Sequence, residues 1–185
     1  MNRLTNNDLI TAPNPILRKR LTKVEFPLSE DLKQSLVLMR QYVVDSYDEE
    51  LVEKYDLTPS VGIAANQIGV DARMAVVYIE DEDGEPYIDL TMINPVILSS
   101  SAKQSYIESG EGCLSVPERP EGYVYRAKTI KLRYFDIEGN KHVIELDDFE
   151  SIAVQHELDH LNGILYSDKI NQNNPFEEKP GAFQI

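Results

Sequence analysis

The chain has few of the residues that form disulfides, and no segment suited to crossing a membrane. Its 185 residues contain one cysteine, Cys113, three histidines and no tryptophan. A single cysteine excludes an intramolecular disulfide, so oxidative cross-linking cannot stabilise the fold. No basic segment followed by an apolar one opens the chain, and no apolar run approaches the roughly 18 residues of a transmembrane helix. We therefore expect a cytoplasmic protein that does not enter a membrane.

Positive charge is also scarce. The 18 lysines and arginines stand against 32 aspartates and glutamates, which gives a formal net charge of −14. Such a surface repels phosphate-rich partners and argues against nucleic-acid or membrane-surface binding. The length and the 42% hydrophobic content are sufficient for one globular core. We expect a single domain, residues 1–185, with an irregular surface tail over residues 171–185.

Two of the three histidines lie in one short segment, residues 155–163, with the sequence QHELDHLNG. On a helix, His156 and His160 share a face one turn apart, so both imidazoles can reach one metal ion. Glu157 is then close enough to act on a metal-bound water. Asp147 followed by Glu150 resembles a capping box, and Asn162-Gly163 predicts the helix end. The alternative is an ordinary charged helix, because HExxH patterns also occur by chance.

The remaining pattern predicts an α+β protein. Prolines predict a turn-rich arm up to about residue 28. Ser29 is a candidate N-cap for an amphipathic helix that runs to about Ser46, followed by a second turn or two over residues 48–55. Strands are predicted at residues 73–79, 87–93, 96–98, 104–107, 129–135 and 141–146, with Asn94-Pro95 ending the second of them. Because strands follow one another without intervening helices, we expect antiparallel sheets packed around a central C-terminal HExxH helix, with an N-terminal helix.

Two histidines leave a catalytic metal short of protein ligands, since such sites use three plus a water. Cys113 is the candidate third ligand, within the glycine-containing segment SGEGCLSVP. On its own, a lone cysteine would more often be a small buried hydrophobe. Residues 60–69 are rich in small side chains and form either a tight packing loop or a place of close approach to a ligand. His142 is expected to be an exposed strand residue without a role.

Three segments occur in order along the chain: GIAANQ at residues 62–67, EGCLS at residues 111–115, and the helical segment 155–163. Together they resemble the three motifs of the peptide deformylases. The N-terminal helix and the acidic stretch after it are similar to the longer, Gram-positive-like bacterial type. Ser60 stands where this family usually has glycine, and Asn66 where proline or threonine is more common. These departures concern the geometry of the loop and leave the chemical groups in place.

The resemblance implies a metal-dependent hydrolase that removes the formyl group from N-terminal formylmethionine and releases formate. Cys113, His156 and His160 would bind one divalent ion, with iron(II) as the native ion and zinc, nickel or cobalt as substitutes. Glu157 would act as general base and then as general acid. The Gln67 side chain and the Leu114 backbone N–H would stabilise the oxyanion. The expected partners are nascent formylmethionyl peptides, with transient ribosome association, and the expected state is a monomer.

The substrate pocket is predicted partly from helical spacing. Phe149, Ile152 and Ala153 precede His156 by seven, four and three residues, so they share its face. We expect this apolar face to form the slot for the methionine side chain, although ordinary core packing is the alternative. The resemblance further implies that the peptide backbone lies as an added strand against two short segments, Val61-Gly62 and Glu111-Gly112.

Three other functions compete with this interpretation. Another HExxH metallopeptidase would need a third histidine or glutamate ligand on or after the helix, but only aspartate and polar residues follow His160 suitably. The glycine context of Cys113 also argues against it. A non-catalytic module with structural zinc would need a fourth ligand, for which the chain offers only His142. An enzyme using Cys113 as nucleophile would work without metal, so chelation would distinguish it.

Overall fold

The structure, a computed structural model, describes residues 3–185. Within them lie α1 (Glu30–Asp45), α2 (Glu49–Tyr55) and α3 (Asp148–Leu161), with strands β1 (Gly62–Ala64), β2 (Met74–Glu80), β3 (Pro86–Ser100), β4 (Gln104–Tyr106), β5 (Arg126–Ala127), β6 (Thr129–Phe135), β7 (Lys141–Asp147) and β8 (Phe183–Gln184). A five-stranded antiparallel sheet has the order β1-β2-β3-β6-β7, and a three-stranded sheet has the order β5-β4-β8. The predicted α+β class is confirmed.

Helix α1 forms where its sequence pattern predicts. The Ser29 hydroxyl accepts a hydrogen bond from the Leu32 N–H, as an N-cap does. The predicted apolar stripe begins at Leu32, which is partly buried, and continues through Leu36, Met39 and Val43, which are buried. Helix α1 packs against β2. Asp48 caps α2 by accepting from two backbone N–H groups in its first turn. The predictions of both helices are therefore confirmed.

Helix α3 lies between the sheets and contacts β1, β2, β5 and β7. Its end is as predicted, because Asn162 is the C-cap and Gly163 has φ +75°. The predicted capping box at its start is wrong, since the Asp147 side chain makes no cap hydrogen bond. Its carboxylate instead accepts from Lys128 Nζ at 2.8 Å and Thr129 Oγ1 at 2.6 Å. The Asp147 side chain, which the sequence pattern assigned to the helix cap, therefore bonds to residues at the start of β6 instead.

Strand β3 continues through Asn94-Pro95, so the prediction that a strand ends there is wrong. The β3–β6 register shifts between Ile93 and Val96, and Asn94 has φ 51°. A bulge of this kind accommodates a proline, which cannot donate to the ladder. The Asn94 side chain bonds both the N–H of Val24, at 2.9 Å, and its carbonyl, at 2.8 Å. The bulge therefore also fastens the N-terminal arm to the sheet.

The N-terminal arm, residues 3–28, is turn-rich as predicted and is bonded to the protein at several points. The Ile10 N–H donates to Gln67 O at 2.7 Å, and the Ala12 N–H to Ser115 O at 2.9 Å. The Leu21 N–H donates to Leu161 O at 3.0 Å. These bonds join the arm to each of the three sequence motifs.

The C-terminal segment, residues 171–185, is mostly exposed and largely irregular, as expected. The prediction is wrong for Phe183 and Gln184, which form β8 and pair in parallel with β4. None of the helices in the part of the chain that the structure describes combines the length and apolarity needed to span a bilayer.

Candidate metal centre

The side chains of Cys113, His156 and His160 converge at one point. One ligand atom from each lies within 4.8 Å of the others, and Cys113 Sγ is 3.2 Å from His160 Nε2. Burial is the main cause that lowers the pKa of His160 well below its usual value, so this imidazole is neutral, as metal binding requires. Over residues 3–185, no second group of this kind is found. A thiolate and two imidazoles match a three-ligand site with one open position.

Glu111 fixes the orientation of His156. Its Oε2 lies 2.8 Å from His156 Nδ1, which leaves Nε2 free to face a metal. Burial raises the pKa of Glu111, but hydrogen bonds and charge from Arg126, together with His156, outweigh this and lower it to about 2. The ionised carboxylate therefore accepts the Nδ1 proton. Burial lowers the pKa of His156, but hydrogen bonds to Cys113 and Glu111 and the charge of Glu111 outweigh this and raise it to about 10, so a metal at Nε2 would replace a proton.

Arg126 holds Glu111 in turn. Its Nε and Nη2 donate to the two carboxylate oxygens of Glu111, at 2.5 and 2.8 Å, and its Nη1 donates to Asp159 Oδ2 at 2.8 Å. The guanidinium side chain is 1% exposed. A buried charge of this kind is stable only when it is paired and hydrogen-bonded, and here three hydrogen bonds pair it with two carboxylates inside the protein. The result is a rigid support behind the metal ligand.

Glu157 is buried next to the converging ligands. Burial raises its pKa to about 7, although the charges of His156 and Arg126 act in the opposite direction. Within residues 3–185, its Oε2 makes no hydrogen bond. A carboxyl group with a pKa near neutrality can both take up and release a proton at working pH. This geometry suits a general base that later acts as an acid.

The Gln67 amide is held in one orientation. Its Oε1 accepts from the Ala64 N–H at 2.8 Å, and its Nε2 donates to Ser115 Oγ at 3.1 Å. The Ser115 hydroxyl donates onward to Ile10 O at 2.7 Å. The amide nitrogen therefore points towards Cys113, whose Sγ lies 3.9 Å away. A fixed N–H donor beside the ligands is what an oxyanion site needs.

These groups surround one cavity of about 410 Å³. His160 lies behind it, 1% exposed. All the other predicted site residues line the cavity: Val61, Gly62, Gln67, Glu111, Gly112, Cys113, Leu114, Phe149, Ile152, Ala153, His156 and Glu157. The structure thus brings together the residues selected from the three motifs and from the helical spacing.

Sequence reasoning missed several residues of the site. The cavity wall also includes Ser46, Tyr47, Thr58, Pro59, Ile107 and Arg119. Ser115 and Asp159 lay inside recognised motifs and could have been selected there. Arg126 could not be identified as a site residue, since nothing in its sequence context distinguishes a buried arginine from an exposed one.

Ser60 and Asn66, the two residues that differ from the usual family pattern, both form hydrogen bonds through their side chains. The Ser60 hydroxyl donates to Gly62 O at 2.7 Å and accepts from the Gly62 N–H at 3.3 Å. The buried Asn66 side chain donates from Nδ2 to His160 O at 2.9 Å. Each side chain therefore stabilises the loop beside the site.

Comparison with known proteins gives a consistent result. The family model described as polypeptide deformylase matches residues 7–176. The chain is 44% identical over 181 residues to the peptide deformylase of Ligilactobacillus salivarius, covering 97% of each protein. It is 42% identical over 182 residues to peptide deformylase 2 of Bacillus subtilis, covering 98% of each. The expected similarity to the Gram-positive type is confirmed.

Solved structures show the same likeness. The peptide deformylase of Thermotoga maritima superposes with a TM-score of 0.68 at 33% identity, covering 88% of this chain and 96% of that one. A class I type b peptide deformylase from Acinetobacter baumannii, crystallised with Met-Ala-Ser bound, superposes with a TM-score of 0.69 at 30% identity. That comparison also covers 88% of this chain and 96% of the other.

Proposed function

The chain belongs to the polypeptide deformylase family, and we propose from this premise how its residues carry out the family's reaction. The protein removes the formyl group from the N-terminal formylmethionine of newly made polypeptides and releases formate. One observation carries the assignment of roles: Cys113, His156 and His160 converge beside the buried carboxylate of Glu157 at a single cavity.

Cys113, His156 and His160 are the residues that would hold one divalent ion. When bound there, the ion would act as a Lewis acid towards water and the formyl oxygen. A mixed set of one thiolate and two imidazoles can bind iron(II), zinc, nickel or cobalt, with affinities that differ from ion to ion. We take iron(II) as the native ion, as the family resemblance implies, with the other three as substitutes.

Glu157 moves the protons. Its carboxylate takes a proton from the attacking water and later gives that proton to the departing amine. The pKa of about 7 suits both steps, because the group is partly ionised at neutral pH. The Gln67 side-chain amide and the Leu114 backbone N–H donate to the oxygen that becomes negative. Since Gln67 is already fixed by Ala64 and Ser115, it needs no rearrangement to do so.

The peptide lies along β1. This strand is at the edge of the five-stranded sheet, so its outer side can pair with an extended chain. Val61 and Gly62 form one wall of the cavity, and Glu111 and Gly112 form another. The Glu111 carboxylate is occupied by Arg126 and His156, which leaves its backbone for the substrate.

The methionine side chain enters the apolar part of the cavity. Phe149, Ile152 and Ala153 line this part and lie one to two turns before His156 on α3. An unbranched side chain fits such a slot because little desolvation of polar groups is required.

The test is formate release from formyl-Met-Ala-Ser by Glu157→Gln, with metal analysis of the same sample. We expect a loss of about 10²–10⁴-fold with the metal retained. The control is Glu150→Gln, in the first turn of the same helix, which should retain both activity and metal. If Glu157→Gln lost its metal together with its activity, Glu157 would belong to the coordination sphere. If it kept wild-type activity, another group would move the proton.

The wider proposal is a single-domain monomer that works in the cytoplasm on nascent chains and contacts the ribosome transiently. Sedimentation of the purified protein tests the monomer, and co-sedimentation with translating ribosomes tests the contact. A stable dimer, or the absence of any ribosome-bound fraction, would contradict the corresponding part.

A further inference from the structure

A second cavity, of about 380 Å³, lies against a different face of α3. Helix α3 contributes Gln155, Leu158 and Asp159 to it, none of which lines the catalytic cavity. The side chains around it include Arg20, Arg73, Arg126 and Lys169. We call this cavity the basic cleft. Its four cations are unusual in a protein whose net charge is −14.

Two of these cations are already neutralised. Asp159, the one carboxylate that lines the basic cleft, lies 2.8 Å from Arg126 Nη1 and 3.0 Å from Lys169 Nζ. Arg126 is further paired with Glu111. Over residues 3–185, by contrast, no carboxylate oxygen comes within 4.0 Å of a guanidinium nitrogen of Arg20 or Arg73. The basic cleft therefore contains two positive charges without a partner.

Arg73 is held in position while keeping donors available. Its Nη1 donates to Leu161 O at 2.9 Å and to Asn162 Oδ1 at 3.0 Å, at the C-terminal end of α3. Its Nε and Nη2 make no hydrogen bond within residues 3–185. Burial and then the charge of Arg20 lower the pKa of Arg73. An anion between the two guanidinium groups would relieve this repulsion.

We infer that the basic cleft is a binding site for a small oxyanion of the phosphate class, held between Arg20 and Arg73. Two uncompensated charges match a dianion better than a monocarboxylate, and guanidinium groups bind phosphate in a two-pronged geometry. The volume suits a small molecule. Val96, Ile97 and Leu158 provide an apolar wall for an organic group attached to the phosphate. A long polyanion is disfavoured by the acidic surface.

The experiment measures binding of inorganic phosphate to the metal-loaded protein by calorimetry at constant ionic strength. We expect one site in the wild type, weakened about tenfold or more in Arg20→Gln, the size expected for losing a charge-assisted hydrogen bond. Arg73→Lys keeps the charge but loses the two-pronged geometry, and it should also weaken binding. Lys131→Gln, which removes one exposed positive charge from β6, is the matched control and should bind as the wild type does.

Three outcomes would overturn the inference. Phosphate bound equally by wild type, Arg20→Gln and Arg73→Lys would place the anion elsewhere, for example at the metal. Acetate bound as tightly as phosphate would make this a carboxylate site. A ten-residue oligouridylate that bound while phosphate did not would indicate a nucleic-acid surface. Formate release by Arg20→Gln should be unchanged, so a failure here is distinguishable from a failure of the proposed catalytic roles.

Discussion

Glu157 lies directly against Gly62, across the space between α3 and β1. A β-carbon built on Gly62 would come within 2.6 Å of Glu157 Oε1 and 3.0 Å of its Cδ and Cγ. Because Glu157 is buried, its carboxylate has little room in which to move aside. Because glycine has no side chain, Gly62 leaves the space that the Glu157 carboxylate occupies.

We expect Gly62→Ala to displace the Glu157 carboxylate and lower formate release about 10²-fold, since small misplacements of a reacting group can cost that much. Metal content should be unchanged. The double variant Gly62→Ala/Glu157→Gln should be no slower than Glu157→Gln alone, because both changes act on one group. Losses that multiply in the double variant would show that Gly62 acts independently of Glu157.

Removing a metal ligand should remove the metal. Cys113→Ser, His156→Ala and His160→Ala are each expected to lose most of the bound ion after dialysis, as measured by elemental analysis, because each leaves only two protein ligands. His142→Ala is the control, since His142 lies on β7 away from the cavity and should keep a full complement of metal. Stoichiometric metal in Cys113→Ser would exclude the thiolate as a ligand.

Filling the apolar slot should change substrate preference. Ala153→Leu adds bulk to a wall of the cavity, and small-to-large changes in packed sites cost about 1–3 kcal/mol. We expect a higher KM for formyl-Met peptides, a smaller change for formyl-Ala peptides and unchanged metal content. A sharp fall in Tm with the Met-to-Ala preference intact would assign Ala153 to the core.

Sensitivity to oxygen should depend on the ion. If iron(II) is native, air or peroxide should inactivate the enzyme by oxidising the iron or the Cys113 thiolate. The nickel form should survive longer under the same conditions. The measurement is the half-life of formate release in air for matched preparations, and equal half-lives would count against iron chemistry as the cause.

Acid should weaken the β6–β7 hairpin. Hydrogen bonds from His142 and Asn140 lower the pKa of Asp136 from 3.8 to about 2, against a smaller effect of burial. A carboxylate with a lowered pKa stabilises the fold fully above its unfolded value, and this contribution is lost as the pH falls from about 3.8 to about 2. The free energy of unfolding should therefore decrease less steeply with falling pH in Asp136→Asn over that window. Identical slopes would mean that the pair contributes nothing.

The sequence predicted what short-range patterns determine. The Ser29 cap, the stripe through α1 and the stop at Gly163 each depend on residues within a few positions, and each was found. The two histidines could be selected from their spacing on a helix, whereas Cys113 was only a candidate until the resemblance to the family supplied the full ligand set. The face formed by Phe149, Ile152 and Ala153 followed from helical spacing alone.

The predictions that failed were those that depend on contacts between segments distant in sequence. Asp147 looked like half of a capping box, but Thr129 at the start of the neighbouring strand β6 and Lys128 just before it bind its carboxylate instead. Asn94-Pro95 looked like a stop, but the Val24 backbone stabilises it as a bulge. Arg126 could not be selected, because its importance comes from meeting Glu111 and Asp159 from two other segments. Such pairings depend on which segments the fold brings together.

The hydrogen bonds of the N-terminal arm connect segments that are far apart along the chain. Residues near the start of the chain bond to Gln67, Ser115 and finally Leu161. The arm must therefore wait for α3, which follows much later in the sequence, before all its bonds can form. Contacts so distant in sequence form slowly, because a long loop must close first. The arm can therefore complete its hydrogen bonds only after α3 has been synthesised and packed.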